Sequence, residues 1–120
     1  MGNHKLFGTI EGGGTKFLCA VADEQNAILR EIRIPTTLPQ STLAACADFF
    51  NQAQSDLGPL SALGIACFGP LDPRLGAPTY GRILATPKVG WENANLAGFF
   101  QSALGDDLPI GFDTDVNGAV

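Results

Sequence analysis

Two stretches of the chain carry residues that could do chemistry. In the first, Gly8-Thr9-Ile10-Glu11-Gly12-Gly13-Gly14-Thr15-Lys16, three consecutive glycines are closed by Thr-Lys. Glycines take positive φ readily and let backbone N–H groups approach an anion with no Cβ in the way, and successive turn N–H groups can form an anion-binding nest. Thr15 adds a hydroxyl donor and Lys16 a cation, a set suited to phosphate. A Walker loop would need Gly-Lys-Ser/Thr opening a helix, and the dinucleotide fingerprint would need Gly-x-Gly-x-x-Gly between a strand and a helix. Neither fits, because Phe17-Leu18-Cys19-Ala20-Val21 continues as a strand. A glycine-rich hairpin without a ligand accounts for the same residues, and on these residues alone the two readings stand level. In the second stretch, Pro109-Ile110-Gly111-Phe112 delivers Asp113-Thr114-Asp115 to the end of a short strand, and Val116-Asn117-Gly118-Ala119-Val120 could begin a helix. Asp113 reads as a turn carboxylate; Asp115 suits a cleft, and a plain helix N-cap explains it too.

Placing these residues requires a sheet. Leu6, Phe7 and Ile10 read as a strand before the glycines and residues 17–21 as a strand after them, so the two form a hairpin. Asp23-Glu24-Gln25-Asn26 is a polar turn, and Ala27 to Ile34 resumes as a partly alternating strand stopped by Pro35, completing a three-strand meander. Pro39-Gln40-Ser41 starts a helix, with Ser41 as its expected N-cap and Leu43, Cys46, Ala47, Phe50 and Leu57 near helical spacing; Gly58-Pro59 ends it. Leu60 to Phe68 is apolar with no polar face, as a central parallel strand should be, and runs into Gly69-Pro70. Leu71 to Trp91 is irregular and rich in Pro and Gly; a loop of that length is usually functional or carries short strands. Asn95 to Leu104 predicts a helix with Leu96, Phe99, Phe100 and Ala103 on one face and Gly105 as its C′ residue. The order predicts an α/β fold in which an antiparallel meander and parallel strands share one mixed sheet, with ligands at the carboxyl ends of its strands.

The bulk properties narrow the classes. At 120 residues, with 45% hydrophobic and 16% charged, the chain is globular and can bury a core. Seven basic residues against twelve acidic give a net charge of -5, and the basic residues are scattered, which argues against a nucleic-acid partner. Cys19, Cys46 and Cys67 lie in apolar runs without metal-ligand spacing and read as buried free thiols in a reducing compartment. No segment approaches membrane-spanning length and no signal peptide is present, so a cytoplasmic protein is expected. His4 is assigned no role, Trp91 reads as core or loop packing, and Phe49 and Phe50 as helix packing. The chain stops one turn into its last expected helix, which predicts that residues 1–120 are the front of a longer protein.

Five motifs now stand in order: the glycine hairpin; Gly64-Ile65-Ala66-Cys67-Phe68-Gly69-Pro70-Leu71-Asp72; Tyr80-Gly81; Thr86-Pro87-Lys88 with Gly90-Trp91; and Asp113-Thr114-Asp115-Val116-Asn117. Together, over essentially the whole chain, they resemble the bacterial ROK (repressor, open reading frame, kinase) family of sugar kinases, most closely its fructokinase branch. The resemblance implies an actin-like, ribonuclease-H-like ATPase fold of two lobes with sugar and ATP meeting between them, residues 1–120 being the N-terminal lobe. It implies a hexose kinase that uses ATP and Mg²⁺ to convert fructose to fructose 6-phosphate, works as a homodimer and carries a zinc-binding Cys/His cluster in the second lobe.

The same resemblance assigns roles. Asp115 is the implied catalytic base, and phosphoryl transfer does need a carboxylate within reach of the attacking hydroxyl. Glu11, Gly13, Gly14, Thr15 and Lys16 would lie against the ATP phosphates, with Glu11 at a position where many members carry Asp, associated with the metal and phosphates. Gly69, Pro70, Thr86, Pro87, Lys88 and Thr114 resemble the parts that shape the sugar site, although for Lys88 a surface loop lysine is the commoner case. Thr114 stands where glucose-directed members carry Asn, and with Glu11 and Thr86-Pro87-Lys88 it follows the fructokinase pattern. The alternatives are a glucokinase or mannokinase on the same scaffold, an inactive sugar-binding fragment, or a regulatory protein. The family's repressors carry a helix-turn-helix before the first strand, where this sequence has only Met1 to His4 ahead of Lys5.

Overall fold

A computed structural model describes residues 5–67, 91 and 94–113. The chain runs through β1 (Leu6–Gly12), β2 (Lys16–Asp23), β3 (Ile28–Pro35), α1 (Pro39–Leu57), β4 (Ala62–Cys67), α2 (Leu96–Leu104) and β5 (Ile110–Asp113). These strands form one sheet in the order β3-β2-β1-β4-β5. β1 pairs antiparallel with β2, and β2 with β3, while β4 lies parallel to β1 and β5 parallel to β4. The meander and the crossover expected from the sequence are both present. α1 is the connection that returns the chain from the edge strand β3 to the far side of β1, which a parallel pairing requires.

Period-two patterning decides which face of the sheet is covered. Along β1, Leu6, Gly8 and Ile10 are buried while Thr9 and Glu11 are exposed. Phe17, Cys19 and Val21 of β2 and Leu63 and Ile65 of β4 join the same inner face, against Leu43, Cys46 and Phe50 of α1 and Leu96 and Phe100 of α2. Phe17, Phe50 and Phe100 have no exposed surface, and each such burial contributes roughly 1.5–3 kcal/mol. The absence of a side chain at Gly8 lets α1 approach: a Cβ there would stand 2.9 Å from Leu63 Cδ1, 3.0 Å from Phe50 Cε1 and 3.1 Å from Leu60 Cδ1.

Three local expectations are corrected. Ser41 does not cap α1; Leu38 takes the N-cap position with no side-chain cap, because Pro39 occupies the first turn with its φ already fixed for a helix. Leu57 is 40% exposed instead of packed, since it lies at the rim of the core beside Leu6, Asp23 and Leu29, and Ala53 closes the inner face of α1. β4 is buried on one face only: Leu63 and Ile65 point inward, whereas Gly64 and its β5 partner Gly111 are exposed, because among the described residues helices cover one face of the sheet. The carboxyl ends of both helices follow expectation, and Asn95 adds a cap that was not expected. Asn95 Oδ1 accepts from the Gly98 N–H at 2.9 Å to cap α2, and Gly58 and Gly105 end α1 and α2 with φ of 115° and 147°.

Candidate phosphate-binding hairpin

Residues Gly13, Gly14 and Thr15 join β1 to β2, and the turn is closed by the Gly13 N–H donating to the Lys16 carbonyl at 2.8 Å. A Cβ at Gly13 would sit 3.1 Å from that same carbonyl oxygen, so the closure favours glycine for its lack of bulk. Neither Gly13 nor Gly14 takes a positive φ, which corrects one reason for expecting glycine here. The Gly13 N–H is also committed within the turn and is withdrawn from the donors available to a ligand. What remains is the outer part of the turn. The N–H groups of Gly14 and Thr15 donate to no described residue, and nothing lies within 4 Å of a Cβ built on Gly14. Thr15 and Lys16 are exposed, and Lys16 has no carboxylate partner among the described residues. Unpaired N–H donors, open space and an uncompensated cation fit a polyanion such as a phosphate chain.

Sheet register brings the two chemical stretches to one end of the molecule. β1, β4 and β5 run parallel and finish at Gly12, Cys67 and Asp113. Glu11, exposed on the face opposite the helices, pairs in register with Ala66, and Ala66 with Asp113. Glu11 and Asp113 therefore lie in one row across three strands, roughly 10 Å apart at the strand spacing. Gly69-Pro70 and Thr114-Asp115 follow in sequence on the ends of β4 and β5, but Gly69, Pro70, Thr86, Pro87, Lys88, Thr114 and Asp115 lie outside the described residues.

A cluster that the sequence reading missed supports the hairpin from behind. Thr36, only 8% exposed, donates its hydroxyl to the Gly13 carbonyl at 2.8 Å and its N–H to the Thr15 carbonyl at 3.0 Å. Thr42 donates its hydroxyl to the Pro35 carbonyl at 3.0 Å and accepts from the Thr37 N–H at 2.9 Å. Trp91 is fully buried, stacks on Phe17 and donates its indole N–H to the Thr37 carbonyl at 2.8 Å. Packing was the expected role for Trp91; its tie to the root of the hairpin was not. The available signal was the run Pro35-Thr36-Thr37 between a strand and a helix, where short hydroxyl side chains bond to neighbouring backbone.

Two cysteines lie deeper in the core. Cys19 and Cys46 are buried free thiols, as expected, and the contact with Cys46, together with burial, pushes the Cys19 thiol far above the ordinary range. A cavity of about 370 Å³ between the α1–β4 and α2–β5 connections, lined by Gln54, Leu60, Leu104 and Leu108 among others, opens at the amino ends of β4 and β5, away from the hairpin.

A meander of three antiparallel strands continued by two parallel ones, with the helices packed on it and a glycine turn at the carboxyl edge, is the arrangement of the actin-like ATPase fold. The ROK family pattern matches residues 7–120, and the chain belongs to that family. Among curated relatives it is 46% identical over 111 residues to a fructokinase of Lactococcus lactis subsp. cremoris, covering 92% of this chain and 36% of that protein. It is 42% identical to a fructokinase of Streptococcus mutans, covering 94% of this chain and 37% of that protein. The chain thus spans little more than a third of the relatives it matches. Among solved structures, a ROK family glucokinase from Streptomyces griseus in complex with glucose and AMPPNP superposes with a TM-score of 0.64 over 98% of this chain and 35% of its own, at 23% identity.

Proposed function

We propose that this chain is the N-terminal lobe of an ATP-dependent hexose kinase that acts on fructose. The observation that carries the reading is the unpaired donor set of Gly14, Thr15 and Lys16 at the edge where β1, β4 and β5 all end. Fructokinases as relatives at 42–46% identity favour fructose over other hexoses. In this reading Lys16 and the outer N–H groups of the turn hold the phosphates of ATP and neutralise charge that develops on them during transfer. Mg²⁺, when bound with ATP, would add charge neutralisation there, and Glu11, next to last in β1, is the carboxylate that would face it. Asp115, two residues beyond the end of β5, is the base: it orients the terminal hydroxyl of the sugar and takes its proton as the hydroxyl oxygen displaces ADP from the terminal phosphorus. Gly69, Pro70, Thr86, Pro87, Lys88 and Thr114 shape the sugar side. A cytoplasmic homodimer with zinc in the second lobe belongs to the same proposal.

The test is a coupled assay of ADP release by the complete two-lobe protein with fructose, mannose and glucose. Fructose is expected to give the highest kcat/KM. Robust turnover of glucose with none of fructose would overturn the substrate assignment, and no turnover of any hexose would overturn the kinase.

A further inference from the structure

We propose that Thr36 is a positioning residue that aims the donors of the phosphate turn; the inference rests on the kinase reading above. Three of the four carbonyls between Gly13 and Lys16 are held by protein donors. The Gly13 carbonyl accepts the Thr36 hydroxyl at 2.8 Å, the Thr15 carbonyl accepts the Thr36 N–H at 3.0 Å, and the Lys16 carbonyl accepts the Gly13 N–H at 2.8 Å. A trans peptide is planar, so its carbonyl and the following N–H point in opposite directions. Fixing the Gly13 and Thr15 carbonyls toward Thr36 therefore turns the N–H groups of Gly14 and Lys16 away from it. One buried residue sets the direction of two N–H groups through two peptide planes, the open Gly14 donor among them.

Thr36 is itself held from both sides. The carbonyl before it is fixed by Thr42, which is 1% exposed and also accepts the N–H of Thr37, and the Thr37 carbonyl accepts the indole N–H of Trp91. The strap 35–37 is thereby anchored to α1 and, through Trp91 stacked on Phe17, to the start of β2. Preorganised donors stabilise a developing charge without reorganising at the moment of transfer, so a loosened turn should weaken the handling of phosphate more than that of sugar.

Thr36→Val keeps the shape and the backbone N–H but removes the hydroxyl, whereas Thr36→Ser keeps the hydroxyl. In the complete protein, Thr36→Val is expected to raise KM for ATP about tenfold, equivalent to one lost hydrogen bond of about 1.4 kcal/mol, and to leave KM for the hexose within about twofold. Thr36→Ser is expected to restore KM for ATP to within about twofold. Thr36→Ala removes the same hydroxyl without an added methyl, carries the same expectation and serves if the valine variant does not fold. An unchanged KM for ATP in a hydroxyl-less variant, or equal losses for ATP and hexose that follow the melting temperature, overturns the role of Thr36 and leaves the kinase standing. If the wild type turns over no hexose, the kinase reading falls instead. Calorimetric binding of inorganic tripolyphosphate to wild type and Thr36→Val then decides the turn alone, equal affinities or no binding counting against it.

Discussion

The Trp91 indole lies on the Phe17 ring with centroids 5.3 Å apart and planes 30° apart, joining the chain just before α2 to the first buried residue after the glycine turn. Its N–H is simultaneously spent on the Thr37 carbonyl. Truncation to alanine should therefore cost about 3–5 kcal/mol of unfolding free energy, the range for a large buried aromatic. Trp91→Phe retains a ring but strips a donor from a part-buried carbonyl, and about 1–3 kcal/mol is expected. Denaturant titration of the complete protein measures both; a phenylalanine variant as costly as the alanine one would contradict this division between packing and hydrogen bonding.

Gly8 is a steric requirement. Gly8→Val should destabilise by about 1–3 kcal/mol, because the new side chain enters space held by Leu63, Phe50 and Leu60, and Gly8→Ala should cost less. The companion change Leu63→Ala, which removes the nearest atom, should recover part of the loss in a double-mutant cycle. Strict additivity would show that the crowding lies elsewhere.

Asp115→Asn tests the proposed base. The substitution keeps the shape but cannot accept the proton of the sugar hydroxyl, and kcat should fall by about 10²–10⁴ with little change in KM for either substrate. Near wild-type turnover would remove Asp115 from that role.

Arg30 of the edge strand pairs with Asp56 of α1 at 2.7 Å, and this hydrogen bond, with a further one from Gln52, holds the Asp56 carboxyl below its ordinary range. A depressed folded value contributes stability above the unfolded pKa of about 3.9 and loses it as pH falls through the folded value. Both side chains are more than a third exposed, so the contribution is small. Asp56→Asn should lower the melting temperature slightly at neutral pH, with the difference vanishing once the pH has fallen through the folded value. A difference that persists in acid would point to packing of the side chain.

The sequence by itself determined the elements and their order. Glycine at 13 and 14, Pro35, Gly58 and Gly105 punctuate the chain locally, and alternation along residues 6–12 and helical spacing along 39–57 report burial that is periodic in sequence. It also carried the family resemblance, because Glu11 to Lys16 and the motifs after them are contiguous runs of residues. Tertiary structure alone decided what depends on neighbours distant along the chain. That Glu11 and Asp113 share a row follows from strand register. The Gly13 N–H is lost to a ligand because the turn closes on Lys16. Leu57 fell at the rim although its spacing matched Phe50, since periodicity identifies a helix face and not where the sheet beneath it ends. Thr36, an ordinary polar residue beside a proline, became a support for the hairpin only when β3 carried it alongside Gly13, because a hydrogen bond depends on distance and direction in space, and separation along the chain specifies neither.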